Sequence, residues 1–305
     1  IICSSSNNNN NNNKNAIVYL LRSDITTTVN NNKGFDDNFL KSMDLLYENY
    51  LKEQQQQQQQ MFGDTHIFLF HTGQLGIQDL QMLETRYNND DDERSSSLPK
   101  GTIRLVNLRN TAFWGRLPGG VEDDPTNWWK ASSYNNTLTM IEDRHEHRFW
   151  SIQLWQYFQN LNDYQQHCNY RYILRMDSNS YLYSPIKYNI FDFVQTNNYQ
   201  YSFRFCTPQS QSNNNNNNQE EGLAVWAEFI RSSSSDTTTR IVVDDDSKMN
   251  CLFYNPFFVA DLQFFLSRPV QRWLHFVDTG GYNYRNDLSP SFVHSMAVHG
   301  FSEDE

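Results

Sequence analysis

The residues best suited to chemistry are Asp177 and Asn179, which follow an alternating apolar run at residues 170–174. Side chains two positions apart at the end of a strand point to the same side, because side chains alternate along an extended chain. In open α/β sheets, ligands bind at this edge. The spacing therefore indicates a site that holds a divalent cation against a diphosphate. A strand followed by a short Asx turn gives the same pattern, so it does not decide alone.

Two further groups of residues are candidates for a functional site. The block Arg144–Arg148 (RHEHR) precedes an aromatic segment and predicts either a solvated helix start or hydrogen-bond donors for a diphosphate. In residues 280–301, Ser289 and Pro290 form a helix-opening pair, and His294 follows about one turn later. A lone histidine on an apolar helix is more often a hydrogen-bonded core residue than a ligand, so the pattern alone favours a structural His294.

Composition and missing motifs exclude several classes of protein. A net charge of −11 disfavours a nucleic-acid binder, and no run approaches the roughly 20 apolar residues of a membrane span. The sequence contains no G-x-S-x-G, Walker A, H-E-x-x-H or spaced G-x-G-x-x-G motif. The four cysteines lack C-x-x-C spacing, which argues against zinc and leaves one or two disulfides open.

Short apolar runs alternate with amphipathic segments along the whole chain. Strands are predicted at residues 16–21, 66–70, 102–108, 170–176 and 199–205, and helices at 35–51, 75–87, 148–161, 188–196 and 222–231. A helix over 256–267 is predicted, with Asn255 as its cap and Pro256 at its first position. Another helix opens with Pro269 and stops at Gly280-Gly281. This alternation predicts an α/β fold with a mostly parallel central sheet flanked by helices.

Low-complexity tracts rich in Asn, Gln or Ser fall at the front end or between predicted elements. Such tracts cannot bury apolar surface, and long surface loops cost little closure entropy, so they are interpreted as disordered insertions. We therefore expect residues 1–15 to be a disordered lead-in and residues 16–305 to form a single domain, with insertions near 54–60, 88–97 and 210–220.

Several blocks together resemble a known family. They are AIVYLLRSD near the start, RHEHRFW at 144–150, RMDSNSYLYSPIKYNIFDFV, LFYNPFFVADLQFF, and GGYNYRNDLSPSFVHSMAVHGF. In order and spacing they are similar to the yeast-type α-1,2-mannosyltransferases, glycosyltransferase family 15, of which the chain is a divergent relative. The resemblance implies a GT-A fold, a GDP-mannose donor, Mn²⁺, retention of anomeric configuration, and a Golgi lumenal location behind an N-terminal membrane anchor outside this chain.

The resemblance also assigns roles to particular positions. The family's Glu-Pro-Asp metal motif matches Asp177, Ser178 and Asn179, and its metal-binding histidine matches His294, which reverses the structural interpretation given above. Arg22 and Asp24, which follow the first strand, are expected to contact the nucleotide.

Arg144 and Arg148 are expected to bind the diphosphate. The family's candidate catalytic carboxylate is replaced by Phe258, and its Arg-Trp-Gly-Asp-Ala-Pro run by residues 286–291. No catalytic residue is therefore identified.

Two hypotheses follow. The first is a metal-dependent retaining glycosyltransferase that moves mannose from GDP-mannose to a hydroxyl of a mannoside or other glycan in protein or lipid glycosylation. The second is a catalytically inactive relative that binds a glycan or a partner enzyme, which the changes at Asn179 and Phe258 favour. Turnover of GDP-mannose distinguishes the two.

Overall fold

The computed structural model describes residues 14–21, 35–57, 65–73, 75–88, 98, 102–111, 114–128, 137–164, 169–208, 216–233 and 251–302. Arg22 and Asp24 lie outside these residues, as do most of the low-complexity tracts. Where such tracts reach described residues, they belong to regular elements. Residues 14–15 begin the first strand, residues 54–57 end a helix, and residues 216–220 begin another, so the predicted insertions are shorter at these edges.

Eight strands are described: β1 Lys14–Leu21, β2 Thr65–His71, β3 Ile103–Asn107, β4 Tyr170–Met176, β5 Tyr201–Phe203, β6 Cys206–Pro208, β7 Cys251–Phe253 and β8 Phe257–Asp261. Eleven α-helices are described: α1 Asp37–Leu46, α2 Lys52–Gln57, α3 Ile77–Asn88, α4 Thr137–Arg148, α5 Leu154–Tyr164, α6 Ile190–Thr196, α7 Asn216–Ser233, α8 Leu262–Phe265, α9 Arg268–Thr279, α10 Tyr282–Arg285 and α11 Pro290–Phe301. Two π-helical turns, Tyr47–Leu51 and Phe149–Gln153, join α1 to α2 and α4 to α5. Short 3₁₀ turns lie at Leu108–Asn110 and Pro125–Asn127.

The main sheet has six strands in the order β3-β2-β1-β4-β8-β5. β1 pairs in parallel with β2 and β4, and β2 pairs in parallel with β3, whereas β8 runs antiparallel to β4. β1 is buried from Ala16 to Leu21, as expected for a continuous apolar strand covered on both faces. The predicted α/β class with a mostly parallel sheet is confirmed.

The chain divides into two compact units. The first contains residues 1–112, 162–202 and 256–261, and the second contains residues 113–161, 203–255 and 262–305. The apolar core of the first unit includes Tyr19, Phe39, Leu69 and Met176. In the second unit, the Trp155 ring stacks on Phe265 with centroids 3.9 Å apart.

Two predictions about elements are wrong. Residues 257–261 form strand β8, because this aromatic and branched run pairs with β4 from Tyr172 to Met176 instead of continuing from the Asn255-Pro256 pair as a helix. The block Arg144–Arg148 lies in the last turn of α4, where Arg144, His145 and Arg148 are buried, and is not a solvated helix start.

The remaining predicted helices and strands are present with shifted ends. For example, α7 begins at Asn216 instead of residue 222, and the strand predicted at 199–205 is shortened to Tyr201–Phe203. The second unit contains a disulfide between Cys206 and Cys251, which joins β6 to β7. Among the described helices, none has both the length and the apolar character needed to cross a membrane.

Candidate functional site

In the first unit, β4 ends at Met176 and the chain turns through Asp177 and Asn179. The turn is closed by a hydrogen bond from Ser180 N to Asp177 O (2.9 Å). It is tied to the start of β8, since Asp177 N and Ser180 Oγ both donate to Pro256 O (3.1 and 3.3 Å). The backbone that carries the two predicted ligands is therefore fixed at the end of a central strand.

The Asp177 carboxylate is held by Arg175, two residues earlier on the same side of the strand. Arg175 Nε and Nη2 donate to Asp177 Oδ1 (3.1 and 2.8 Å). The Arg175 side chain is only 5% exposed, whereas that of Asp177 is 25% exposed. Both hydrogen bonds go to Oδ1, so the buried guanidinium of Arg175 orients the Asp177 carboxylate without contacting Oδ2.

Asn179 lies in the exposed part of the same turn. The Asn179 amide oxygen and the Asp177 carboxylate oxygens are ligands of the kind that Mg²⁺ and Mn²⁺ prefer, so these two residues fit a divalent cation. Within the part of the chain that the structure describes, no cluster of three or more His, Cys, Asp or Glu residues is arranged to hold a metal. With only Asp177 and Asn179 as protein ligands, most of the coordination positions of a bound cation would be filled by oxygen atoms of the substrate or of water.

Phe258 lies on β8 directly opposite Arg175. Its side chain is fully buried and stacks on Tyr201 with ring centroids 4.9 Å apart. Directly opposite residues in an antiparallel pair project to the same face. The position that would carry a carboxylate therefore carries a core aromatic ring beside a buried arginine.

In the second unit, the predicted diphosphate ligand Arg144 is completely buried and forms an ion pair with Asp287. His147 Nδ1 lies 3.3 Å from the same Asp287 oxygen. Asp287 has a left-handed backbone with φ of 54°, a conformation that short polar side chains tolerate better than most. This ion pair joins positions far apart in the sequence and is not predicted by any local pattern, although the Asn286-Asp287 pair ahead of a capped helix is a turn signal.

Arg148, the second predicted diphosphate ligand, is also buried and paired. Its Nε and Nη2 donate to Asp278 (2.7 and 3.2 Å), and Nη1 donates to Arg116 O. Burial favours a lower pKa for Arg148, but the bonds and charge of Asp278 raise it, so the guanidinium stays charged. Nearby, His145 Nδ1 is hydrogen-bonded to Tyr284 Oη (2.7 Å), and burial, then the charge of Arg148, lower the pKa of His145 to about 4.

His294 is buried on α11 with no exposed area. Its Nε2 lies 3.1 Å from Trp150 O, and its Nδ1 lies 2.9 Å from Asn255 Nδ2. Helix α11 opens as predicted, with Ser289 Oγ accepting from Phe292 N (3.2 Å). The metal role of His294 stays a prediction; its surroundings are those of a hydrogen-bonded core residue.

Comparison with known proteins identifies the family. A family model described as glycolipid 2-alpha-mannosyltransferase matches residues 95–305, which is well over half of the chain. The chain belongs to this family. No curated protein gave a significant match by sequence.

Solved structures agree with that assignment at the level of fold. The mannosyltransferase Ktr4p from S. cerevisiae superposes with a TM-score of 0.68 at 15% identity, over 95% of this chain and 66% of that one. Its complex with GDP gives 0.66 at 16% identity, over 95% and 67%. Core-mannan synthase A from Aspergillus fumigatus, in an Mn/GDP form, gives 0.66 at 11% identity, over 98% and 73%. The chain thus spans 66% of the length of Ktr4p.

Membership in the glycolipid 2-alpha-mannosyltransferase family confirms the resemblance inferred from the sequence. The GT-A fold expected from the resemblance agrees with the fold of these mannosyltransferases. The individual site residues stay predictions. Within the first unit the structure brings Asp177 and Asn179 into one turn, and within the second it gives Arg144, Arg148 and His294 separate buried partners.

Proposed function

We propose that this protein transfers mannose from GDP-mannose to a hydroxyl group of a glycan acceptor, with retention of configuration and an α-1,2 linkage. The observation that carries the proposal is the turn at the end of β4, where an oriented carboxylate and an amide follow a central strand of a family-typical sheet. The family description supports the sugar and the linkage. GDP in a solved relative supports the donor.

Mn²⁺ is the proposed cation, with Asp177 and Asn179 as its protein ligands. A relative solved in an Mn/GDP form supports this choice. When bound, the ion would neutralise charge on the diphosphate as it leaves. The contribution of the chain itself is orientation, because Arg175 fixes Asp177 through Oδ1 and leaves Oδ2 for the ligand.

Four further residues are proposed to contact the donor. Arg22 and Asp24, after β1, would bind the nucleotide at the edge where ligands bind in α/β sheets. Arg144 and Arg148 would donate to the diphosphate. Arg144 is paired with Asp287 and Arg148 with Asp278. Each guanidinium would therefore have to donate hydrogen bonds to the diphosphate and to its aspartate at the same time.

The transfer step lacks a protein carboxylate at position 258. We propose that the acceptor oxygen attacks the anomeric carbon from the side of the leaving group, the bond from that carbon to the diphosphate breaks, and the acceptor proton passes to a diphosphate oxygen. In this step the bonds formed and broken and the proton are all accounted for without a base from the protein. Phe258 takes no part in it, because its ring is buried against Tyr201.

A second candidate function is an inactive relative that binds a glycan or a partner protein. The burial of Phe258 and the amide at Asn179 favour it, since each replaces a charged group of the family motif. The two candidates share donor binding and differ in turnover.

The protein is proposed to act in the Golgi lumen, behind a type II membrane anchor outside this chain, with residues 16–305 as its glycosyltransferase domain. The disulfide between Cys206 and Cys251 supports an oxidising compartment. Protease protection of the full-length protein in sealed vesicles, lost when detergent is added, tests this location.

A donor screen by thermal unfolding tests the function. GDP-mannose with Mn²⁺ at 100 times the dissociation constant should stabilise the protein by about 2.7 kcal/mol, whereas UDP-glucose should have little effect. GDP released on adding α-mannosides then separates the enzyme from the binding module. A wild type that responds to no guanosine diphosphate sugar would reject both the donor and the family activity.

A further inference from the structure

The π-helical turn Phe149–Gln153 is closed by side chains. Leu154 N donates to Phe149 O, the five-residue spacing of a π turn. Three carbonyls in and beside the turn accept side-chain donors: His147 O from Ser151 Oγ (2.6 Å), Ser151 O from Trp155 Nε1 (3.1 Å), and Trp150 O from His294 Nε2. Ser151 lies in the turn itself and Trp155 at the start of the adjoining helix α5, whereas His294 lies on α11, far away along the chain.

The geometry fixes the tautomer of His294. Trp150 O is a carbonyl that can only accept, so the Nε2 atom 3.1 Å away carries the proton. In the neutral imidazole, Nδ1 then carries the lone pair and accepts from Asn255 Nδ2 at 2.9 Å. Both ring nitrogens are therefore engaged, one by the π turn and one by the segment between β7 and β8.

Aromatic rings pack against one side of the imidazole. Trp155 and Phe265 approach it edge-on, with centroids 5.4 and 5.1 Å away, and stack on one another. Asn255 is itself 3% exposed. A cation at Nδ1 would have to displace this buried amide and break its hydrogen bond to the imidazole, which costs free energy in an apolar environment.

We propose that His294 is a structural clasp that joins the π turn to Asn255, and that the cation of this protein is held by oxygen atoms alone. The oxygen ligands are those of Asp177, Asn179 and the donor diphosphate, so the second half of the proposal rests on the proposed function. The histidine of the family is present as His294, but the lone pair of its Nδ1 accepts a hydrogen bond from Asn255. An all-oxygen set suits Mn²⁺ and Mg²⁺ alike and gives no preference for metals that favour imidazole.

The experiment uses Mn²⁺ with GDP as the probe, on wild type and on Asn255→Leu, His294→Leu and Asp177→Asn variants, with exposed His275→Gln as the matched control. Thermal unfolding without ligand measures the clasp. Electron paramagnetic resonance of free Mn²⁺ measures cation affinity. Asn255→Leu is the key variant, because it leaves the imidazole in place and removes its partner at Nδ1.

We expect Asn255→Leu and His294→Leu to lower Tm by about 4 °C or more, with His275→Gln unchanged. Mn²⁺ affinity should stay within about twofold in both, compared with the 10–100-fold losses typical of disturbed metal sites, and should fall in Asp177→Asn. Tighter Mn²⁺ binding in Asn255→Leu, or a tenfold loss in His294→Leu, would overturn the proposal. A wild type that binds no Mn²⁺ with GDP would reject the proposed function, while unchanged Tm values would reject the clasp.

Discussion

Asp177 Oδ1 accepts hydrogen bonds from two nitrogens of the buried Arg175 side chain. A substitution of Asp177 should therefore affect both the proposed site and the stability of the fold. Asp177→Ala takes a carboxylate from a buried guanidinium and should cost about 1–3 kcal/mol of unfolding free energy. Asp177→Asn keeps an oxygen at that point and should cost less. Both should lose the stabilisation by Mn²⁺ with GDP-mannose, measured by chemical and thermal unfolding. A full ligand response in either variant would exclude Asp177 from the site.

Phe258 is the residue at which this chain departs most from its family, and its burial makes restoration of the carboxylate costly. Phe258→Glu loses the ring stacked on Tyr201 and buries a charge, so we expect a loss of about 3–5 kcal/mol, the range for truncating a core aromatic. Phe258→Leu is the control for ring loss without charge. Urea unfolding of the three proteins measures the difference.

A stable Phe258→Glu protein would mean that the new carboxylate pairs with Arg175, which lies directly across from position 258. In that case the same protein should be assayed for mannosyl transfer. A gain of activity over wild type would favour the inactive-relative hypothesis.

Helix α4 carries a buried histidine that should make the fold sensitive to acid. The pKa of His145 is lowered to about 4 by burial and by Arg148, whereas an unfolded histidine titrates near 6.5. Between these two pH values the unfolded chain binds a proton that the folded chain does not. The free energy of unfolding therefore falls as the pH drops from about 6.5 to about 4, and above pH 6.5 the stabilisation is fully present. His145 contributes up to about 3 kcal/mol to that loss.

Urea unfolding at pH 7.5, 6 and 4.5 measures the effect. The His145→Gln variant should show a flatter dependence than wild type. His66, whose pKa burial lowers to about 3, leaves part of the slope in place. Identical slopes in the two proteins would contradict the assignment to His145.

Most elements could be predicted from the sequence because their signals are local. The buried run of β1 and the Ser289-Pro290 opening of α11 are examples. β8 could not, since Asn255 and Pro256 mimic a helix start and only pairing with β4 makes the next residues a strand. The π turns also escape prediction, because they shift the helical period by a single residue.

The candidate site was predictable only in part, for the same reason. Asp177 and Asn179 follow a strand, so their turn could be predicted from spacing. The partner of Arg148 is 130 positions away, and that of His294 at Trp150 is 144 away. No local pattern carries such information, so the buried pairing of these residues appeared only in the structure.

On the scale of the whole molecule, the disulfide between Cys206 and Cys251 closes a sequence separation of 45 residues. Loop-closure entropy assigns about 4 kcal/mol to a loop of that size, with 2–4 kcal/mol usual in practice. We expect a double Cys206→Ser, Cys251→Ser variant to lose stability in that range by urea unfolding. A change below about 1 kcal/mol would contradict a structural role for the bridge.

The central claim is that the protein transfers mannose from GDP-mannose. The most direct measurement is incorporation of labelled mannose from GDP-mannose into α-mannoside acceptors with Mn²⁺, with α-1,2-specific mannosidase digestion of the product and Asp177→Asn as the matched control. The account predicts labelled, mannosidase-sensitive product from wild type and none from Asp177→Asn. Tight donor binding without product across a panel of mannosides and glycans, or equal product from the variant, would contradict it.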